Sequence, residues 1–162
     1  MSLINHRRRS ARWHGASQKV RQSAAPLFLD RIDIQCEISP VPFQDISKAA
    51  PGEPSAKIRE RVIKAREVQA ERFNDYKGIP CNAQMTERMI HQFAEPDEQG
   101  IKLLRMAMEK LSLSARAYNR ILKVARTIAD LAGSEQIKSD HIAEAVGYGT
   151  LDRGDWAERG HL

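Results

Sequence analysis

Apolar residues fall into helical spacing along most of the chain after residue 53. The clearest stretch is 113–133, where Ala115, Tyr118, Ile121, Leu122, Ala125, Ile128, Ala129 and Ala132 recur every three or four positions. That period marks an amphipathic helix. Ser114 stands where an N-cap is wanted, and Gly133 where a left-handed residue closes the C-terminus. Arg116, Arg120 and Lys123 share a second face of the same helix.

The neighbouring segments give weaker versions of this pattern. Residues 55–74 predict a long helix with Ile58, Val62, Ala65, Val68 and Phe73 as its inner stripe. Lys57, Arg59, Glu60, Arg61, Lys64, Arg66 and Glu67 clothe the rest, with opposite charges at helical spacing. Gly78 and Pro80 mark 75–83 as loop. A short helix starts near Thr86, with Met89, Ile90 and Phe93 inward. Pro96 and Asp97 open another, in which Ile101, Leu104, Met108 and Leu111 repeat. A last helix starts near Ser139, with Asp140 at its positive end and Ile142, Ala143 and Val146 inward. Residues 53–148 therefore predict a mainly α fold, a bundle of about five helices able to bury one modest core.

The N-terminal part differs. Residues 1–25 show no hydrophobic period and read as a disordered basic tail. Ile32, Ile34, Cys36 and Ile38 alternate with Asp33, Gln35 and Glu37, which predicts one short strand. Pro40 and Pro42 stop it. No second strand is legible, and a lone strand is not stable. Residues 44–54 read as linker, and 149–162 as a flexible tail.

Charge sharpens this division. The net charge of +5 is concentrated in the tail: residues 1–25 carry Arg7, Arg8, Arg9, Arg12, Lys19 and Arg21 and no acid. They contribute +6, so the remaining 137 residues sum to −1. Such a tail can touch nucleic acid, although a solvated, disordered end is the plainer expectation. No apolar run approaches the roughly 18 residues needed to span a bilayer, so no membrane association is expected. The basic N-terminus lacks the apolar core of a signal peptide, which makes the cytoplasm the expected location. Cys36 and Cys81 have no metal-ligand spacing and read as free thiols.

Candidate chemistry is sparse. A Gly-x-x-x-x-Gly-Lys-[Ser/Thr] phosphate loop, a magnesium-holding acidic pair and a His-Glu-x-x-His motif are all missing from the sequence. His91 and His141 read as surface or boundary residues, and no metal site is expected. Arg120, Lys123 and Arg126 read as a solvated face, and Tyr118 as core. Two arginines stand out by position: Arg31, in Leu29-Asp30-Arg31-Ile32-Asp33 before the predicted strand, and Arg116, at the start of the basic-faced helix. A guanidinium is planar, permanently charged and able to give phosphate two parallel hydrogen bonds. Near a helix N-terminus it adds to amide dipoles that already favour anions.

Pro26-Leu27-Phe28-Leu29-Asp30-Arg31-Ile32-Asp33-Ile34 resembles a segment of the magnesium-chelatase-like AAA+ ATPases. Residues 110–153 resemble that family's C-terminal domain, through Leu113-Ser114-Ala115-Arg116, Arg126-Thr127-Ile128-Ala129-Asp130-Leu131 and Leu151-Asp152-Arg153. The branch it is most similar to is the ComM-type, competence-associated one. The resemblance implies that 26–52 are the end of an ATPase core and 53–148 its helical lid. It implies that Arg31 is an arginine finger aimed at a neighbouring subunit's ATP, a role worth about a thousandfold or more in hydrolysis rate. It implies that Arg116 is the sensor-two arginine, which feels the γ-phosphate in its own subunit. The intact family uses ATP and magnesium, works as a hexameric ring and, in this branch, serves DNA processing.

The sequence also departs from the family pattern. Pro26 is followed by Leu-Phe-Leu where the family has Leu-Leu, and the family's phosphate loop lies upstream of anything present here. The expectation is a fragment that binds no cofactor alone, hydrolyses no ATP alone and needs the ATPase core or other AAA+ subunits. A second reading is a small basic helical nucleic-acid-binding module that uses Arg7, Arg8, Arg9, Arg120 and Lys123. A third is an interaction module that docks proteins through a groove of the lid.

Overall fold

The computed structural model describes residues 32–36, 38, 40, 41 and 51–149. The chain divides into two units, Met1–Asp33 and Ile34–Leu162, and the described helices all belong to the second. They are α1 (Ser55–Arg72), α2 (Glu87–Phe93), α3 (Glu98–Lys110), α4 (Ala115–Leu131) and α5 (Ser139–Gly149), with a 3-10 turn at Asn82–Gln84 between α1 and α2. The fold is the expected mainly α bundle. The tail 1–25 and residues 150–162 lie outside the described residues.

Local chemistry sets the helix ends. Asp97 Oδ1 accepts from Gly100 N at 2.7 Å to start α3, and Ser114 Oγ accepts from Ala117 N at 3.2 Å to start α4. Each bond satisfies one of the donors that a helix N-terminus leaves unpaired. The C-terminus of α4 closes through Gly133 at φ +66°, with Gly133 N on Asp130 O (3.1 Å) and Ser134 N on Ala129 O (2.8 Å). This pair of bonds is the Schellman motif. The C-terminus of α3 closes in the same way, except that Ser112 takes the left-handed position at φ 48°. At the start of α5, His141 Nδ1 accepts from Lys138 N at 3.1 Å, so an imidazole does the work of the usual glutamate.

Helix α4 is the centre of the bundle. It packs against α5, α1, α2 and the 3-10 turn, while α3 packs against α5. The core is a single cluster in which Ile90, Ile121, Ile137, Ile142 and Val146 are fully enclosed. Ile137 belongs to no helix. Its carbonyl accepts from Asp97 N at 2.9 Å, which ties the α4–α5 loop to the start of α3. Phe73, Tyr76 and Phe93 meet edge to face at 5.7–6.5 Å and seal the end of α1 against α2.

Several expectations need correction. None of the described residues between 32 and 41 is in a strand: Ile34 is 54% and Ile38 is 90% exposed. Among the described residues no second strand lies beside this segment, and Gln35 N donates to Tyr148 O at 2.9 Å. The predicted stripe of α1 is half right. Ala65 and Phe73 are buried, but Ile58 and Val62 are 44–45% exposed because this end of α1 runs beyond the bundle, and Val68 is 44% exposed because it lies to one side of the Ala65–Gln69 line that packs. Ile101, Ala115, Ala132 and Ala143 are exposed, and Ala107, Ala117 and Ala145 take core places instead. His141 is buried rather than at the surface.

Candidate functional site

Helix α4 carries two polar clusters, one at each end. At its C-terminal end, Asp130 is enclosed, with its side chain 1% exposed. Arg72, the last residue of α1, grips it through two parallel bonds, Nη1 to Oδ2 at 2.8 Å and Nη2 to Oδ1 at 2.6 Å. Arg126, one turn earlier on α4, adds Nε to Oδ1 at 3.1 Å. Asn82 completes the shell: its Nδ2 donates to Asp130 Oδ2 (2.8 Å) and to Thr127 Oγ1 (3.1 Å), and its Oδ1 accepts from Arg72 (2.8 Å). Gln69 Oε1 accepts from Asn82 N at 3.1 Å. One carboxylate thus joins α1, the 3-10 turn and α4.

Arg126 extends the cluster to the next loop, donating to the carbonyls of Glu135 (2.7 Å) and Ser134 (2.6 Å). Burial pulls its guanidinium below the usual arginine range. The Asp130 charge opposes that shift, and Arg72 adds to it. Arg126 was expected on a solvated face and is instead buried at 4% exposure. The signal for this was its i, i+4 spacing to Asp130, which places both on one side of the helix.

The N-terminal end of α4 is the more open one. Arg116 is exposed in the first turn, two residues after the Ser114 cap. No acid accompanies it in that turn. One turn further, Arg120 Nη2 donates to Gly149 O at 3.2 Å, beside the Gln35–Tyr148 bond. Two carbonyls at the end of α5 therefore find donors from α4 and from the segment ahead of the bundle. Lys123 Nζ donates to Ala83 O at 3.0 Å. The three residues expected to form one basic face have separated. Arg116 faces solvent, whereas Arg120 and Lys123 are half-buried and bind the chain's own backbone.

Arg31, Arg7, Arg8 and Arg9 lie outside the described residues. Cys36 and Cys81 are free thiols. Tyr118 is half-buried against the core, as its position in the pattern implied. Among the described residues no group of three His, Cys, Asp or Glu is placed to hold a metal ion, and no helix is long and apolar enough to cross a membrane.

Residues 52–149 match the family described as magnesium chelatase, subunit ChlI C-terminal. The chain belongs to that family, as the C-terminal part of a ComM-type magnesium-chelatase-like protein. It is 42% identical over 127 residues to competence protein ComM of Haemophilus influenzae. It is also 42% identical to the uncharacterized protein YifB of Escherichia coli and 39% identical to YifB of Salmonella typhimurium, each over 127 residues. These matches cover 78% of this chain and 24% of each relative, so the chain spans about a quarter of their length.

Proposed function

We propose that this chain is the lid domain of a magnesium-chelatase-like AAA+ ATPase. In that role Arg116 senses the γ-phosphate of ATP held by the core of its own subunit. Arg31 reaches a neighbour's ATP as an arginine finger. ATP and magnesium are held by the core, the subunits form a ring, and the motor serves DNA processing in the cytoplasm. The lid alone turns nothing over.

The observation that supports this reading best is the place of Arg116 on α4, in the first turn behind the Ser114 cap and with no acid in that turn. Arg116 stands exposed on the first turn of the helix against which α1, α2 and α5 pack. A guanidinium on a well-anchored element beside helix amides suits an incoming phosphate. The name of the Haemophilus influenzae relative, a competence protein, supports the link to DNA. The nucleic-acid-module reading draws less support, because Arg120 and Lys123 bind carbonyls rather than lie open to a phosphate backbone.

The test is reconstitution. The chain is mixed with a separately produced phosphate-loop-bearing core, and ATP hydrolysis is followed. Arg116→Ala should lower the rate at least about tenfold, and Arg31→Ala by about a thousandfold or more. Hydrolysis by the chain alone at about 1 s⁻¹ or faster would overturn the reading. So would a reconstituted rate indifferent to Arg116→Ala.

A further inference from the structure

The N-terminal half of α1 is unlike the rest of the bundle. Every residue from 55 to 64 is exposed, so this part of the helix projects beyond the body it belongs to. It has no side-chain cap at Pro54 and no acid in its first turn. An isolated helix of this length is marginal in water, and helices in proteins draw most of their stability from packing an apolar face.

That face exists and is empty at one end. Ile58, Val62, Ala65, Gln69 and Arg72 follow one another at spacings of four, three, four and three, the repeat of a coiled-coil seam. Gln69 and Arg72 engage the 3-10 turn and α4. Ile58 and Val62 continue the same line with 44% and 45% of their surface in water. The seam starts inside the fold and runs out of it.

The flanks of the seam say what can lie there. The positions beside it hold Arg59, Arg61 and Arg66, together with Val68. Glu60 and Glu67 fall on the side farthest from it. Lys57 and Lys64 widen the positive border. Arg61 is paired with Glu53, and the other flanking cations make no ion pair among the described residues. In paired helices these flanking positions choose the partner. A second copy would set arginine against arginine in either orientation, which disfavours self-pairing. Residues 1–50 and 150–162 offer no complement either. Residues 1–25 carry +6 and no acid, 26–50 are broken by Pro26, Pro40 and Pro42, and 150–162 contain Gly154 and Gly160.

We propose that the projecting half of α1 is a docking seam for an amphipathic helix from outside residues 1–162, one with apolar residues at its seam and glutamates or aspartates beside it. Binding extends the core outward along α1: apolar residues cover Ile58 and Val62, and the acids meet Arg59 and Arg66. The seam does not include Arg116, and the proposal stands whether or not that arginine senses a nucleotide.

The experiment uses the full chain and two synthetic amphipathic helices with identical seams, one flanked by glutamates and one by lysines. Binding is followed by fluorescence anisotropy at low and high salt. The acidic helix should bind, lose affinity several-fold as salt rises, and slow amide exchange over residues 55–64. Val62→Glu and Ile58→Glu should each weaken it at least tenfold. Both positions are exposed, so the variants keep the fold, which circular dichroism checks. Arg59→Glu with Arg66→Glu should reverse the preference toward the lysine-flanked helix. Equal binding of both helices, or of neither, overturns the proposal. So does a dimer of the chain that Val62→Glu dissolves. So does binding of duplex DNA that Arg59→Glu abolishes while Val62→Glu leaves it intact, since that would make this a nucleic-acid surface.

Discussion

Arg72 and Asp130 lie 58 residues apart in sequence and meet through two parallel hydrogen bonds, at 2.8 and 2.6 Å, that join the end of α1 to the end of α4. The carboxylate is enclosed, and it also receives Asn82 and Arg126. Replacing it leaves two guanidinium groups facing a gap. Removal of one partner from a buried pair typically costs about 3–5 kcal/mol. Asp130→Ala should lower stability by that amount in urea denaturation, and a loss under about 1 kcal/mol would contradict this account.

Ile137 should behave as a core residue although it lies in a loop. Its side chain is fully enclosed, and its carbonyl holds the start of α3. Ile137→Ala is expected to cost about 2–5 kcal/mol, the range for deleting a buried branched side chain. Thermal unfolding compared with the exposed Ile63→Ala control would show the difference.

Two glycines should fail for different reasons. Gly133 sits at φ +66° with open space around it, so Gly133→Ala is opposed by backbone strain alone, about 1–2 kcal/mol. Gly100 lies within α3, where alanine would ordinarily gain about 1 kcal/mol of helix propensity. A Cβ there would come 2.9 Å from Pro96 Cβ and 3.0 Å from the capping Asp97 oxygen. Gly100→Ala should therefore destabilise despite its better propensity. A more stable Gly100→Ala protein would show that the start of α3 can shift freely.

Tyr148 and Glu144 give a pH-dependent signal. Tyr148 Oη donates to Glu144 Oε1 at 3.0 Å, and that bond, with the charge behind it, raises the phenol above its ordinary value near 10.0. A raised pKa in the folded state means that the contribution is present below the ordinary phenol range and is lost as pH climbs through the raised value. Ultraviolet titration should find Tyr148 ionising above the ordinary phenol range. Glu144→Gln should return it toward the ordinary range, and an unchanged titration would refute the assignment.

Arg116 should be dispensable for the fold. It is exposed on the first turn of α4, and surface changes of this kind usually fall within about 0.5 kcal/mol. Arg116→Ala should leave the urea midpoint in place. A large shift would make Arg116 a structural residue and would remove its value as a nucleotide probe.

The amino-acid sequence alone determined the helices and their ends. The period of Ile121, Leu122, Ala125 and Ala129, the Ser114 and Asp97 caps and the Gly133 stop are local features, fixed by interactions a few residues long. They carried the bundle of five helices and the family. Distance in sequence marks where that legibility ends. Arg126 looked like surface because its partners, the Ser134 and Glu135 carbonyls and an Asp130 already held by Arg72, converge only when α1, α4 and the following loop pack together. Ile58 and Val62 looked like core because periodicity marks an apolar face without saying whether anything lies against it. Only the tertiary structure decided that α1 outruns its bundle, that His141 and Ile137 are inside, and that Arg116 alone of its basic face stays open to solvent. Each of those outcomes depends on which surfaces meet, and a one-dimensional pattern does not contain that.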